Sequence, residues 1–461
     1  MLFSSNVFLF AYLPIVLLLY YAAPRPLRNL VLLAVSLVFY GWGEPVYVLL
    51  MALVIVLNYA FGLWIAVRRK KGKGAGKILA LGVAGNLLIL GYFKYWGFLL
   101  SCFSTLFPAL KQWSLPEVEL PIGISFYIFQ SMSYIIDVYR QDAQVQRDPI
   151  CFGTYVVLFP QLIAGPIVRY RDVAEQLASR RETVSDFSEG IYLFVLGLCK
   201  KVLLANPMGS LWNLMRGEQG MLTGWVGLMA YTLQIYFDFS GYSDMARGLG
   251  KMFGFSFLEN FNYPYISASI TEFWRRWHIS LSTWFREYVY IPLGGNRRGL
   301  HRQIGNILIV WALTGLWHGA SWNFVLWGLY YALLLILEKT VLLRLTQSWP
   351  VAVRRMLTVL AVMLGWALFY FENLTQLGAF LTRLFVPVAA SAEGMALAVS
   401  YLPLAAAALA ASTPVFHRLA QKYADRVWYR PARLLLCTMG LLLSVAALAS
   451  QSYNPFIYFR F

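Results

Sequence analysis

The stretch ILIVWALTGLWHGASWNFVLWGLYYALLLIL, residues 307–337, contains no lysine, arginine, aspartate or glutamate. A helix needs roughly 20 apolar residues to cross the hydrocarbon core of a bilayer. The stretch is long enough to enter and return, and it reads as two spans, 304–317 and 322–341, either side of a turn. Within it stands a single histidine, His318, bracketed by Gly315 and Gly319. An ionisable side chain at membrane depth is costly and by default marks function. The ordinary alternative is a core histidine satisfied by neighbours such as Ser321 or Asn323. The flanking glycines would let backbone or ligand come close. A neutral imidazole in a dry channel can take the proton of a hydroxyl that attacks an acyl donor.

The rest of the chain shares this character. Of 461 residues, 59% are apolar and 13% charged, against about 45–50% and 25% in soluble domains. The mean hydropathy is +0.60. This excludes a soluble enzyme, a disordered chain and a disulfide scaffold. It leaves an all-α polytopic transmembrane helical bundle with room for about a dozen spans. The net charge of +17, from 38 basic and 21 acidic residues, would suggest nucleic acid in a soluble protein. Here the basic residues sit in short clusters between apolar runs, as in cytoplasmic loops, so the partner is membrane lipid and no nucleic acid is expected. Cys102, Cys151, Cys199 and Cys437 are far apart and form no CxxC. They read as buried free thiols, and nothing has metal-ligand spacing, so no metal is expected. No GxSxG, HExxH or Walker motif occurs, which leaves serine hydrolase, zincin and nucleotide hydrolase readings unsupported.

Apolar runs at 7–21, 27–41 and 45–67 open the chain. The first lacks the basic flank of a cleaved signal peptide and reads as a retained span. Arg25 and Arg28 separate the first two runs, and Arg68, Arg69, Lys70, Lys71, Lys73 and Lys77 follow the third. The positive-inside rule places both clusters in the cytoplasm and the N-terminus outside. A run at 78–107 crosses outward to a loop with Glu117 and Glu119. Runs at 120–136 and 151–168 are short and broken by Pro121, Gly123, Pro160, Gly165 and Pro166. Irregular backbone at membrane depth needs protein or a water-filled cavity around it, so re-entrant or half-buried helices are expected there. Arg169, Arg171, Arg180 and Arg181 form a further cytoplasmic cluster. Spans continue at 188–206, 222–239, 354–371, 394–412 and 433–450. The last follows Arg418, Lys422, Arg426, Arg430 and Arg433, exits outward and leaves the tail 451–461 on the outer side. One integral-membrane domain, 1–461, is expected.

SITEFWRRWHISLSTWFREYVYIPLGGNRRG (269–299) mixes tryptophan, tyrosine and arginine, as suits the membrane–water interface. Read as one helix, it puts Trp274, His278 and Ser282 on one face. It is either an anchoring belt helix or a cytoplasmic mouth in which Arg275, Arg276, Arg297 and Arg298, with Arg286 and Arg302, hold phosphates. In IYFDFSGYSDMARGLG (235–250), Gly241 is expected to break a helix, with Asp238 and Asp244 capping its ends. His301 and His417 lie in basic segments and read as solvated. The terminal FIYFRF (456–461) is too apolar to lie free in water and should tuck into a groove or the membrane.

FPQLIAGPIVRYRD (159–172), YFDFSGYSDMARGLGKMFGF (236–255), the block 269–297, TGLWHGASWNFVLWG (314–328) and FIYFRF occur in an order that resembles the membrane-bound O-acyltransferase family. The likeness is to its bacterial branch serving cell-envelope polymers, with alginate-type O-acetyltransferases nearest. The resemblance implies a ring of spans around a thin centre where cytoplasmic and outer funnels meet. It implies catalytic roles for His318 and His278, substrate contacts from Trp317 and Asn323 beside the arginines, and cytoplasmic acetyl-CoA as acyl donor. It also implies a tail tyrosine, Tyr458, that carries the acyl group. An exported SGNH-hydrolase-like partner would then pass that group to a polysaccharide, in a bacterial inner membrane. Arg460 stands where the family tail often has glutamine, which leaves the tyrosine in place. The charge pattern agrees with a relay: from Ser450 to Tyr458 the chain can reach roughly 26–29 Å, beyond the roughly 15 Å of half a hydrocarbon core. The alternatives are D-alanyl or other acyl transfer on the same scaffold, and export of a small anion or lipid-linked sugar.

Overall fold

The computed structural model describes residues 1–107, 118–163, 165–450, 454 and 456–457. Glu117 and Tyr458 therefore lie outside the described residues. All regular structure among those described is helical. Among the described residues six helices are long and apolar enough to cross a membrane: Tyr47–Lys70, Gly76–Leu106, Val184–Met215, Trp322–Thr346, Val351–Tyr370 and Tyr429–Ser450. The pair Ala392–Ser400 and Leu402–Ala411, bent by 47° beside Pro403, makes a seventh if counted as one span. The protein is a multi-pass membrane protein. Leucines such as Leu434, Leu436 and Leu442 stand more than half exposed, which hydrocarbon tolerates and water does not.

Among the described residues fewer helices meet that length and apolarity than the roughly dozen apolar runs suggest, because several runs fold into shorter or more polar helices. Ile124–Arg140 is buried on nearly every side, and the next run splits into Pro149–Val157 and Phe159–Leu162 around Leu158. These are the short, protein-enclosed helices expected from their prolines and glycines. Met221–Met252 is long enough to span, but its polar Thr232, Gln234, Asp238, Ser240 and Ser243 are all buried in protein.

The chain divides into two compact units, Met1–Phe194 with Met245–Leu258, and Val195–Asp244 with Glu259–Phe461. In the first, Tyr47–Lys70 and Gly76–Leu90 are pinned by Asn58 and Asn86. Each amide donates to the other's side-chain oxygen (3.0 and 2.8 Å) and to the carbonyl one turn back on its own helix. Side-chain hydrogen bonds between membrane helices contribute about 0.6–2 kcal/mol each. In the same unit Phe3, Phe8, Tyr12, Phe39 and Phe159 pack as an aromatic cluster.

In the second unit, Leu300–His318 and Trp322–Leu337 form the hairpin foreseen around the charge-free stretch. Their backbones touch. A Cβ at Gly315 would run into the Phe324 carbonyl, and one at Gly328 into the Trp311 carbonyl. Two expectations fail here. Gly241 does not break its helix, which runs unbroken from Met221 to Met252. Instead the missing side chain admits the Gly197 carbonyl, which would lie 2.7 Å from a Cβ. Asp238 and Asp244 accordingly cap nothing; they pair with Lys201 and Lys200, each at 2.6 Å. Nor is 269–299 one helix. Ile270–Arg276 and Ile279–Phe285 meet at Trp277 and His278, the latter at φ +45°, so Trp274, His278 and Ser282 do not form a helical face.

Candidate functional site

His318 is the last residue of its helix, three residues beyond the close backbone approach at Gly315. Its ring is 6% exposed and is held by aromatic edges: Trp327 at 4.9 Å, Trp317 at 5.1 Å and Phe369 at 5.3 Å between centroids. It faces a narrow cavity of about 20 Å³. Trp277, Trp327, Trp366, Phe369, Asp238, Phe239, Phe456 and Ile457 line the cavity with it. That volume holds about one water molecule. In such a space an imidazole meets few competing dipoles, and a proton moves only between groups placed in contact with it.

Among the described residues that line the cavity, Asp238 is the one with a charged side chain. It is 3% exposed and ion-paired to Lys201, whose ammonium also donates to the Asn206 amide oxygen at 2.9 Å. The second carboxylate oxygen accepts the backbone N–H of Ile457 at 2.8 Å. Asn206 donates on to Asn454 at 3.3 Å, and Phe456 stacks on Tyr242 at 4.6 Å. Three separate contacts thus hold the C-terminal segment against the Met221–Met252 helix and its neighbours. A buried carboxylate with an ammonium and an amide donor is satisfied, so it leaves no bare charge beside the histidine.

His278 does not line the cavity. It is 1% exposed, behind Phe239 (4.7 Å) and Trp317 (6.0 Å). Its Nδ1 is 3.2 Å from the side-chain oxygen of Asn260, which also accepts the Ser280 backbone N–H at 3.0 Å. A backbone N–H can only donate, so that Asn260 atom is the oxygen. Nδ1 of a neutral His278 then donates to it, and Nε2 is left as the acceptor. The segment carrying His278 is fixed at its start. Ser269 accepts from the Glu272 backbone N–H while Glu272 accepts from that of Ala268, a reciprocal cap. Buried Glu338 accepts the backbone N–H groups of Ile270 and Thr271, both at 2.7 Å, and the Thr271 hydroxyl.

The structure therefore brings His318 together with the residues immediately before Tyr458, with Trp317 standing between the two histidine rings. Asn323 is fully buried and its amide donates to the Phe369 and Leu368 carbonyls, which makes it a brace of the wall. The arginines lie elsewhere on the unit. Arg275, Arg297 and Arg298 are exposed, and Arg276 pairs with Glu272 at 3.0 Å and donates to the Asn262 carbonyl. His301 and His417 are exposed, as their basic surroundings suggested. Sequence reasoning missed Lys201, Asn206, Asn260 and Glu338. A signal existed for two of them: Lys201 and Glu338 are ionisable residues inside or at the end of apolar runs, where each needs a partner. Ser269-x-x-Glu272 was equally legible as a capping box.

The protein-family model for the membrane-bound O-acyltransferase family matches residues 139–380. The probable alginate O-acetylase of Pseudomonas putida is 42% identical over 490 aligned positions, covering all of both chains. That of Pseudomonas aeruginosa is 46% identical over 81% of this chain and 73% of its own. The peptidoglycan O-acetyltransferase of Helicobacter pylori is 32% identical over 81% of this chain and 78% of its own. The family-model match takes in the hairpin, His278, His318, Lys201, Asp238 and Glu338.

Proposed function

The chain belongs to the membrane-bound O-acyltransferase family and is an O-acyltransferase, and from that premise we propose that it carries acetyl groups outward across a bacterial cytoplasmic membrane, from acetyl-CoA to a cell-envelope polysaccharide. The observation that carries this reading is the shared cavity: His318 lines it together with Phe456 and Ile457, the two residues that precede Tyr458. The small volume favours a two-carbon acyl end over a long chain. Relatives named for O-acetylation of alginate and peptidoglycan point to a polymeric acceptor.

The chemistry follows from these groups. Neutral His318 takes the phenolic proton of Tyr458 while the phenol oxygen attacks the thioester carbonyl. The carbon–sulfur bond breaks, His318 returns the proton to the departing sulfur, and the acetyl group remains on Tyr458 as a phenyl ester. An exported SGNH-hydrolase-like partner accepts it on a serine and passes it to a sugar hydroxyl. A phenol, with its pKa of about 10, is a better leaving group than a sugar alcohol, so this second step runs forward readily. Arg275, Arg276, Arg297 and Arg298 serve the donor's phosphates. His278, through Trp317, sets the orientation of the His318 ring, and Asn323 braces the wall behind it.

Purified protein given radiolabelled acetyl-CoA tests the relay. The wild type should acquire hydroxylamine-labile label, and Tyr458→Phe, which loses only the hydroxyl, should acquire none and stop polymer acetylation. Full polymer acetylation by Tyr458→Phe would remove the relay and leave direct transfer from the thioester.

A further inference from the structure

In the first unit, two loops that are far apart in sequence enclose a polar pocket of about 710 Å³. One loop carries Arg25, Arg28 and Asn29, the other Arg180, Arg181 and Glu182. The charge pattern of the sequence assigns each loop, separately, to the cytoplasmic side. Four guanidinium groups face one carboxylate there, a balance of 4 − 1 = +3. The carboxylate is already engaged: Glu182 pairs with Arg28 at 2.7 Å and accepts the Tyr20 hydroxyl.

Arg180 is fixed in place, and its Nε also lies 3.8 Å from the Glu182 carboxylate. Its side chain is 7% exposed. Nε donates to Tyr20 at 2.9 Å, Nη1 donates to Asn29 at 2.7 Å, and the group lies over the Phe255 ring at 4.6 Å. Its Nη2 is buried and has no hydrogen-bond partner among the described residues. Arg25 and Arg181 are exposed at the mouth and make no ion pair among the described residues. A preorganised guanidinium with an open N–H donor, backed by two exposed cations, suits a phosphate diester. The helices that end at this pocket, Leu13–Ala22 and Arg28–Gly41, present Leu18, Leu19 and Leu30 outward, with Leu27 in the turn between them. A ligand whose charged end enters the pocket therefore meets a hydrocarbon-compatible flank.

We propose that this pocket binds the phosphate headgroup of an anionic glycerophospholipid of the cytoplasmic leaflet, with its acyl chains along the leucine flank. The site is independent of the transfer reaction, so its failure would leave that reading standing. The experiment is lipid retention by native mass spectrometry of the full chain, with phosphatidylglycerol and phosphatidylcholine as probes. The wild type should keep the first in preference to the second. Arg25→Ala/Arg181→Ala, which touches no interaction within the fold, should weaken phosphatidylglycerol retention roughly 30-fold, from two surface arginines at about 1 kcal/mol each. The Arg25→Lys/Arg181→Lys variant should keep most of it. Equal retention of both lipids by the wild type, or no loss in the alanine variant, would overturn the proposal. So would displacement of phosphatidylglycerol by equimolar inorganic phosphate or coenzyme A, which would mark a site for soluble phosphates.

Discussion

The His318 cavity and the Arg180 pocket solve opposite problems. The first is narrow, walled by indole and phenyl rings, and admits one charged group, which arrives already neutralised by Lys201. The second is wide and leaves two arginines unmatched. Where water is excluded an unpaired charge is too costly to keep, so chemistry must be done by neutral groups whose positions are set in advance. Where water reaches, surplus charge is cheap and remains available to a ligand.

The strongest way to break this contrast is at its dry end. His318→Ala should lower acyl transfer by about 10²–10⁴-fold, the usual worth of a general base, while thermal unfolding of the detergent-purified protein stays close to wild type. Near-normal turnover would mean that the cavity is only packing. Next comes the ion pair. Lys201→Met leaves the Asp238 carboxylate buried without its cation, which should cost about 3–5 kcal/mol of stability. The double variant Lys201→Met/Asp238→Leu should recover most of that stability. It should not recover activity, because the acceptor for the Ile457 amide is gone. A double variant that is both stable and active would show that the tail needs no anchor there.

The smallest effect belongs to the wet end. Burial alone would push the Glu182 carboxyl up, but the Tyr20 hydroxyl and Arg28 outweigh it and hold it below its ordinary value. A carboxyl depressed in the folded state contributes stability above its unfolded pKa of about 4.3 and loses it as pH falls through the lower folded value. Melting temperature measured from pH 7 down through that window should therefore fall for the wild type by more than it does for Glu182→Gln. The difference should correspond to about 1 kcal/mol or less, since the pocket is open to solvent.

What the sequence disclosed follows the range of the forces involved. His318 was legible because a charge-free run makes any histidine conspicuous. The short helices between 120 and 168 were legible because prolines and glycines act locally. The Lys201–Asp238 pair was not, because two helices must be packed before their ionisable residues can meet, and reading Asp238 alone led to a capping role it does not have. The bend at His278 was also hidden: a left-handed histidine leaves no mark in composition, and the helical spacing of Trp274, His278 and Ser282 suggested a continuous rod. The two arginine loops were each assigned to a membrane side by charge, but that they close on one another is visible only in three dimensions.

Glu338 has a consequence beyond capping. It belongs to the hairpin arm that follows His318, and it grips the first turn of the segment that delivers Trp277 and His278. The arm that leaves the His318 turn thus also anchors the start of the His278 segment, so one helix is common to the supports of both imidazoles.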